Sequence, residues 1–383
     1  MVEPYRQTES STILNSVALT VDDLRIPALR RRRDHMHMAD ALVSPAVGGA
    51  MWAATAVTTG YCAKRIRESD DASRIPLMGV AGAFIFAAQM LNFTIPGTGS
   101  SGHLGGGLLL AILLGPQAAF LVMASVLTVQ ALFFADGGLL SLGANIFNLG
   151  FFPAFIAYPL VYRPIVGATP TRGRIIAGSL IAAIVALQLG ALGVVIETTL
   201  SGVSELPFAT FALVMLPIHG AIGVVEGVVT AAVILFVQQA QPELLSRQAT
   251  GGSLRGLNLK PVLIGLAVAA ILAASVLSLF ASTNSDGLEW SIANVTGGKE
   301  VTADGPIHNA LARVQEFTAL LPDYGLPQSA DPGAEQPPTS LDGTGSAEAG
   351  TSVSGLIGGG LVLAVTVLIG WVLKRRADSR DGR

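Results

Sequence analysis

Residues 174–198 read "RIIAGSLIAAIVALQLGALGVVIET", and between Arg174 and Glu197 no residue carries a formal charge. A helix rises about 1.5 Å per residue, so about 20 such residues cross a hydrocarbon core roughly 30 Å thick. This stretch is long enough to span a bilayer, and its reading makes lipid the main solvent of the chain. The composition agrees: 51% of the 383 residues are hydrophobic, 13% are charged, and the mean hydropathy is +0.59. A soluble domain carries about a quarter charged residues. Further apolar stretches fall at about 44–62, 76–91, 104–115, 117–135, 144–162, 208–238, 261–281 and 354–373. Those at 76–91 and 104–115 are short for a span and are expected to be broken or partly re-entrant. The expected fold is an all-α polytopic membrane protein, a bundle of six or seven helices followed by a two-span C-terminal module.

Charge placement gives the orientation. With residue 44 outside, the alternating inner loops hold Lys64, Arg65, Arg67 and Arg74, then Arg163, Arg172 and Arg174, then Arg247, Arg255 and Lys260. The C-terminal tail adds Lys374, Arg375, Arg376, Arg380 and Arg383, which makes fifteen basic residues inside against two outside, Lys299 and Arg313. This is the positive-inside pattern for nine spans with a cytoplasmic C-terminus in the cell membrane. Arg30, Arg31, Arg32 and Arg33 lie on the wrong side of it. Residues 1–35 therefore read as a polar, disordered leader that is either translocated against its charge or absent from the working protein.

Other classes are excluded. The net charge of −3 with scattered basic residues gives no electrostatic case for nucleic-acid binding. A single cysteine, Cys62, forms neither an internal disulfide nor a Cys-rich metal site. The first 35 residues lack the continuous apolar core of a secretory signal. "GSLRGLNLK" and "TGGKE" fail the phosphate-loop pattern, and no H-E-x-x-H is present. The chain divides into residues 36–240, a dense block of spans; a polar cytoplasmic linker, 241–260; residues 261–373, two spans around an external loop; and a basic tail, 374–383. Within that loop "LPQSADPGAEQPPTSLDGTGSAEAG" (326–350) reads as a flexible tether.

Two regions carry candidate chemistry. Residues 34–40, "DHMHMAD", read either as part of a solvated leader or as a metal site. If the chain began at Met36, its amine, the His37 amide nitrogen and the His37 imidazole would close two fused chelate rings, a set favouring square-planar Ni(II) or tetragonal Cu(II). His35 would then be excluded. A further ligand can come from His103 in "NFTIPGTGSSGHLGGG" (92–107), on the same external face, which otherwise reads as a loop-capping histidine. Asn92, Thr98, Ser100 and Ser101 are candidates to hydrogen-bond its ring. His219 and Glu226, seven residues apart on one helix face at membrane depth, are assigned to packing or gating. Asn145 and Asn148 are read first as helix caps and second as supports of a metal site. His308 is expected to be solvated.

"MHMADALVSPAVGGAMWAATA" (36–56), the run beginning "NFTIPGTGSSGHLGGGLLLAILLGP" at 92, and "LPIHGAIGVVEGVVTAAV" (216–233) resemble the CbiM/NikM family. These are substrate-binding membrane components of cobalt and nickel energy-coupling-factor transporters, and the likeness covers roughly residues 36–238. The resemblance implies a polypeptide beginning at the Met-His pair, with metal bound by the terminal amine, the second residue's amide and imidazole, and the loop histidine; here these are Met36, His37 and His103. It also implies a transmembrane coupling protein and two ATPases as partners, and transported Ni(II) or Co(II) in place of any cofactor. "NSDGLEWSIAN" (284–294) is similar to the PDGLE motif of a small accessory subunit often fused to this family, with Ser285 where the proline would stand. The expected function is capture of Ni(II) or Co(II) outside and delivery inward, by a transport subunit rather than an enzyme. The competing class is a stand-alone divalent-metal channel or permease. Nickel and cobalt both accept nitrogen ligands, so the choice between them stays open.

Overall fold

A computed structural model describes residues 36–69, 71–299, 301–303, 305–325 and 344–381. The leader with its four arginines, and residues 326–343 of the expected tether, lie outside the described residues.

The chain enters through a turn at Asp40–Leu42 into α1 (Pro45–Ser69) and α2 (Ile75–Gln89). A hairpin follows, β1 (Phe93–Ile95) paired antiparallel with β2 (Ser100–Gly102) in the register Thr94 to Ser101. Then come α3 (Gly107–Leu114) and α4 (Pro116–Phe133), separated by Gly115 at φ 80°. That left-handed residue stops α3, and Pro116 starts α4 where a missing amide costs nothing. The next helix is composite: α5 (Leu142–Ile146), a π-helical stretch Phe147–Tyr162 and α6 (Arg163–Val166). Pro153 and Pro159 remove two amide donors from its ladder, and the chain takes the wider turn through them. Two long helices close the first block, α7 (Arg172–Ser201) and α8 (Phe208–Ala240). Thr171 caps α7 by accepting from the Arg174 amide, and Gly202 at φ 61° ends it. The remainder is α9 (Pro242–Thr250), α10 (Lys260–Ser275), α11 (Gly287–Thr296), α12 (Pro306–Thr318), a turn at Pro322–Tyr324 and α13 (Thr344–Asp381).

Six helical segments among the described residues are long and apolar enough to cross a membrane: 72–89, 116–133, 142–166, 172–201, 208–240 and 350–375. This is fewer than the nine apolar stretches for physical reasons. Helix α1 is long, but its charge-free part ahead of Lys64 is diluted by Gly48, Gly49, Gly60, Thr55, Thr58 and Thr59 and is less apolar than the six. Helix α10 has 16 residues, about 24 Å, and α3 has 8, about 12 Å. The short stretch at 104–115 is thus a broken segment, as its length predicts, whereas that at 76–91 belongs to a continuous helical segment, 72–89, long enough to span, against the expectation.

Three regions read as loops are folded. The linker forms α9 and buries Leu244 and Leu254. Asp71 accepts from the Leu254 amide at 2.7 Å, Arg74 donates to Gly252 O, and Gln248 donates to Leu113 O, so the linker seals one end of the bundle. The loop 282–353 contains α11 and α12, and α12 buries His308, whose Nε2 lies 3.0 Å from Val43 O. His308 is therefore not solvated. Residues 374–381 of the C-terminal tail and the last residues of the expected tether belong to α13, a single 38-residue helix. It packs on α2, where Gly82 lies against Val362 and Gly358 against Phe86. The fused module is thereby part of the bundle.

Candidate metal centre

At the bundle end opposite the linker, the segment Met36–Met38 is held by its backbone. Asn145 grips Met38 at both polar atoms: its Oδ1 accepts from Met38 N and its Nδ2 donates to Met38 O, each at 3.1 Å. Gly138 N and the Ser141 hydroxyl also donate to Met38 O. The Met36 amide donates to Asp136 Oδ1 at 2.9 Å, and His37 Nδ1 lies 3.2 Å from Asp136 Oδ2. A carboxylate only accepts, so this contact puts the imidazole proton on Nδ1. His37 Nε2 is left buried, with no hydrogen-bond partner among the described residues.

His103 faces it, with ring centroids 5.4 Å apart and planes inclined by 32°. Its Nδ1 lies 3.2 Å from Leu104 O and its Nε2 3.1 Å from Met36 O. Burial, and then the neighbouring His37, hold the His103 imidazole below its ordinary pKa. The neutral ring has one proton for two carbonyls, so one nitrogen presents a lone pair to an oxygen. A buried and a half-buried imidazole with an unmatched lone pair each form a donor set suited to a borderline transition-metal cation. Among the described residues no three His, Cys, Asp or Glu side chains are grouped to hold an ion, which leaves main-chain donors to complete a ligand set.

The loop carrying His103 is positioned by glycines and buried polar side chains. Glu226 accepts from Gly105 N at 2.8 Å and Gly106 N at 3.2 Å, and Gln89 donates to Gly105 O at 2.9 Å. A Cβ on Gly107 would stand 2.3 Å from Leu149 O, so this position requires glycine. Glu226 thus holds the loop, where the spacing with His219 had suggested only packing or gating. His219 donates from Nδ1 to Met215 O at 2.9 Å, and it lines the same cavity as Met36, His37, His103 and Glu226.

Several expected roles change. Ser101 donates to Asn284 O at 2.8 Å rather than to the His103 ring, and its amide donates to Ser285 O. Asn92 meets Ser282 through its backbone carbonyl, and its buried side-chain oxygen has no hydrogen-bond partner among the described residues. Thr98 and Ser100 bond each other in the hairpin. Neither asparagine of α5 and its continuation caps a helix: Asn145 clamps Met38, and Asn148 donates to Glu197 at 2.8 Å.

The residues missed in the sequence are Asp136, Asp286 and Tyr324. Asp286 caps α11 by accepting from Glu289 N at 2.9 Å, and its Oδ2 lies 3.7 Å from His103 Nε2. Tyr324 donates to Asp136 Oδ2 at 2.7 Å. Burial, and next the charge of Asp136, push its phenol well above the ordinary range, which keeps the donor protonated. Asp136 had one readable signal, being the only charged residue between Arg74 and Arg163.

Residues 37–244 match the family described as the cobalt uptake substrate-specific transmembrane region (CbiM), and residues 260–375 match the PDGLE domain. The chain is 35% identical to a putative fused nickel transport protein NikMN of Archaeoglobus fulgidus, over 89% of this chain and 99% of that protein. It is 31% identical to the fused nickel transport protein NikMN of Rhodobacter capsulatus, over 76% and 88%. A crystal structure of a transition metal transporter, 30% identical, aligns over 57% of this chain and all of that chain with a TM-score of 0.49.

Proposed function

The chain belongs to the CbiM family of cobalt-uptake transmembrane proteins, with a PDGLE domain in the same polypeptide, and from that premise we propose that it captures Ni(II) or Co(II) for an ATP-driven energy-coupling-factor importer. The observation that carries the reading is the buried His37 Nε2, without a hydrogen-bond partner among the described residues, on a ring whose centroid lies 5.4 Å from that of His103 in the same cavity. In a chain beginning at Met36, the terminal amine and the His37 amide join these rings as nitrogen donors, as in the chelate the Met-His pair can form.

The cavity faces outward and the C-terminus is cytoplasmic. Arg74, Arg163, Arg247 and Arg255 gather at the opposite end of the bundle, in contact with the linker, which supports this orientation. ATP hydrolysis resides in two separate ATPases, linked through a transmembrane coupling protein. Release follows from the bonds of Glu226 to Gly105 and Gly106. They tie the His103 loop to α8, so a shift of α8 during the partners' cycle draws His103 away from His37. His219, on the same helix and lining the same cavity, moves with it.

Whole-cell radionickel or radiocobalt uptake tests this. His37→Ala and His103→Ala should each reduce accumulation to that of cells lacking the protein, and wild-type accumulation in His37→Ala would overturn the assignment. Deleting the ATPase subunits should have the same effect, whereas retained uptake would mean a stand-alone permease.

A further inference from the structure

The fused module reaches the metal site through Tyr324. Its hydroxyl donates to Asp136 Oδ2 at 2.7 Å, and the same carboxylate receives Met36 N at 2.9 Å and His37 Nδ1 at 3.2 Å. The contact is anchored on both sides. Leu321 N donates to Phe133 O and Asp323 N to Phe134 O, Gln315 donates to Ala131 O and Gly137 O, and the Tyr324 ring stacks on Phe134 at 4.9 Å.

Backbone strain concentrates at the same place. Among the described residues the non-glycine positions with positive φ are Ala135 at 54°, Asp323 at 53° and Tyr324 at 56°. All three flank or form the Asp136–Tyr324 bond. Residues are held in this region only where surrounding structure over-determines them, and such positions cluster at ligand clamps. Asp136 is in addition a charge whose side chain is 2% exposed, in a stretch with no other charged residue between Arg74 and Arg163.

We infer that Asp136 and Tyr324 are positioning residues of the metal site: the carboxylate, held by the fused module's phenol, sets the orientation of His37 and the placement of Met36. Carboxylates that accept from the second nitrogen of a ligating histidine fix its tautomer and ring angle. Here a further donor to that carboxylate, on the same oxygen that faces His37, comes from residue 324, so the C-terminal module shapes the site without touching the ion. The inference rests on the proposed metal capture, and the test separates the two.

Co(II) is titrated into the protein beginning at Met36, in lipid nanodiscs, reading affinity and the ligand-field absorption bands. Asp136→Asn should weaken binding by about 10- to 100-fold, the range found for partners of metal-ligating histidines, and shift the bands. Tyr324→Phe, which deletes one hydroxyl and leaves the ring stack, should weaken binding by about 3- to 10-fold, a fraction of that range, and shift the bands the same way. The double variant should bind no worse than Asp136→Asn within about 2-fold, because residues in one network do not add. Wild-type affinity and bands in Tyr324→Phe, or additive losses in the double variant, would overturn the relay while His37→Ala still lost binding. Wild-type affinity in His37→Ala would instead remove the metal-capture reading. If Asp136→Asn does not fold, Tyr324→Phe alone carries the test.

Discussion

Helix α8 makes close backbone approaches on two faces, one residue out of register, and uses them for opposite ends. On one face Gly223 and Gly227 meet α7: a Cβ would stand 2.8 Å from the Ile184 Cα and 2.6 Å from the Leu180 Cα. On the other, Ile222 and Glu226 meet the His103 loop, where Gly102 would place a Cβ 2.5 Å from Ile222 and Gly105 would place one 3.0 Å from Glu226. In the first case the helix supplies the small residue, and two membrane helices gain dispersion contact without needing a polar atom. In the second the loop supplies the glycines and the helix supplies a carboxylate. A charge buried in an apolar surrounding persists only where donors meet it, and the Gly105 and Gly106 amides are those donors. The first face is packing, and the second positions the loop that carries His103.

The comparison breaks most sharply at Glu226. Glu226→Ala leaves two buried amides without acceptors, at about 1–3 kcal/mol each. The expected loss is about 2–6 kcal/mol of stability, borne mainly by the loop, with Co(II) affinity falling by at least about 10-fold. Glu226→Gln keeps one oxygen for one amide and should cost about half as much. Thermal unfolding in nanodiscs with parallel Co(II) titration reads both, and wild-type affinity in Glu226→Ala would mean that α8 does not hold the loop.

Gly227→Ala tests the other face. The new methyl meets backbone on α7 rather than a flexible side-chain end, so the helices must separate, at about 1–3 kcal/mol. The unfolding midpoint should fall while Co(II) affinity stays within about 3-fold of wild type, less than 1 kcal/mol. A loss of affinity as large as that of Glu226→Ala would show that the two faces are one mechanical unit.

How far the site could be read from sequence follows how local its causes are. Spans are properties of consecutive residues, and His37 and His103 stand out because histidine is scarce, five among 383 residues. The asparagines were misread because capping looks for a partner within one turn. The partner of Asn145 is 107 residues away and that of Asn148 is 49 away. Tyr324 was unreadable for the same reason, its bond to Asp136 bridging 188 residues between what sequence reads as separate modules. His308 lies in a segment whose composition suggests a solvated loop, and its burial depends on α12 packing back over Val43. The Gly223–Gly227 spacing was present in the sequence, but four-residue glycine spacing marks a helix seam only when another helix lies against it.

The smallest effect sharpens the comparison by removing the neighbour. Gly60 lies in α1, is exposed, and a Cβ built on it meets nothing within 4 Å. Gly60→Ala therefore changes only the conformational freedom of the chain and the helix propensity, a gain of about 0.5–1 kcal/mol. The unfolding midpoint should rise slightly, with Co(II) affinity unchanged. The same glycine-to-alanine change at Gly227 carries the same intrinsic gain, so the difference between the two midpoints isolates the cost of parting α7 from α8. A fall in the Gly60→Ala midpoint comparable to that of Gly227→Ala would mean that α1 also depends on close contact at this face, and the distinction drawn from α8 would then not be one of neighbours.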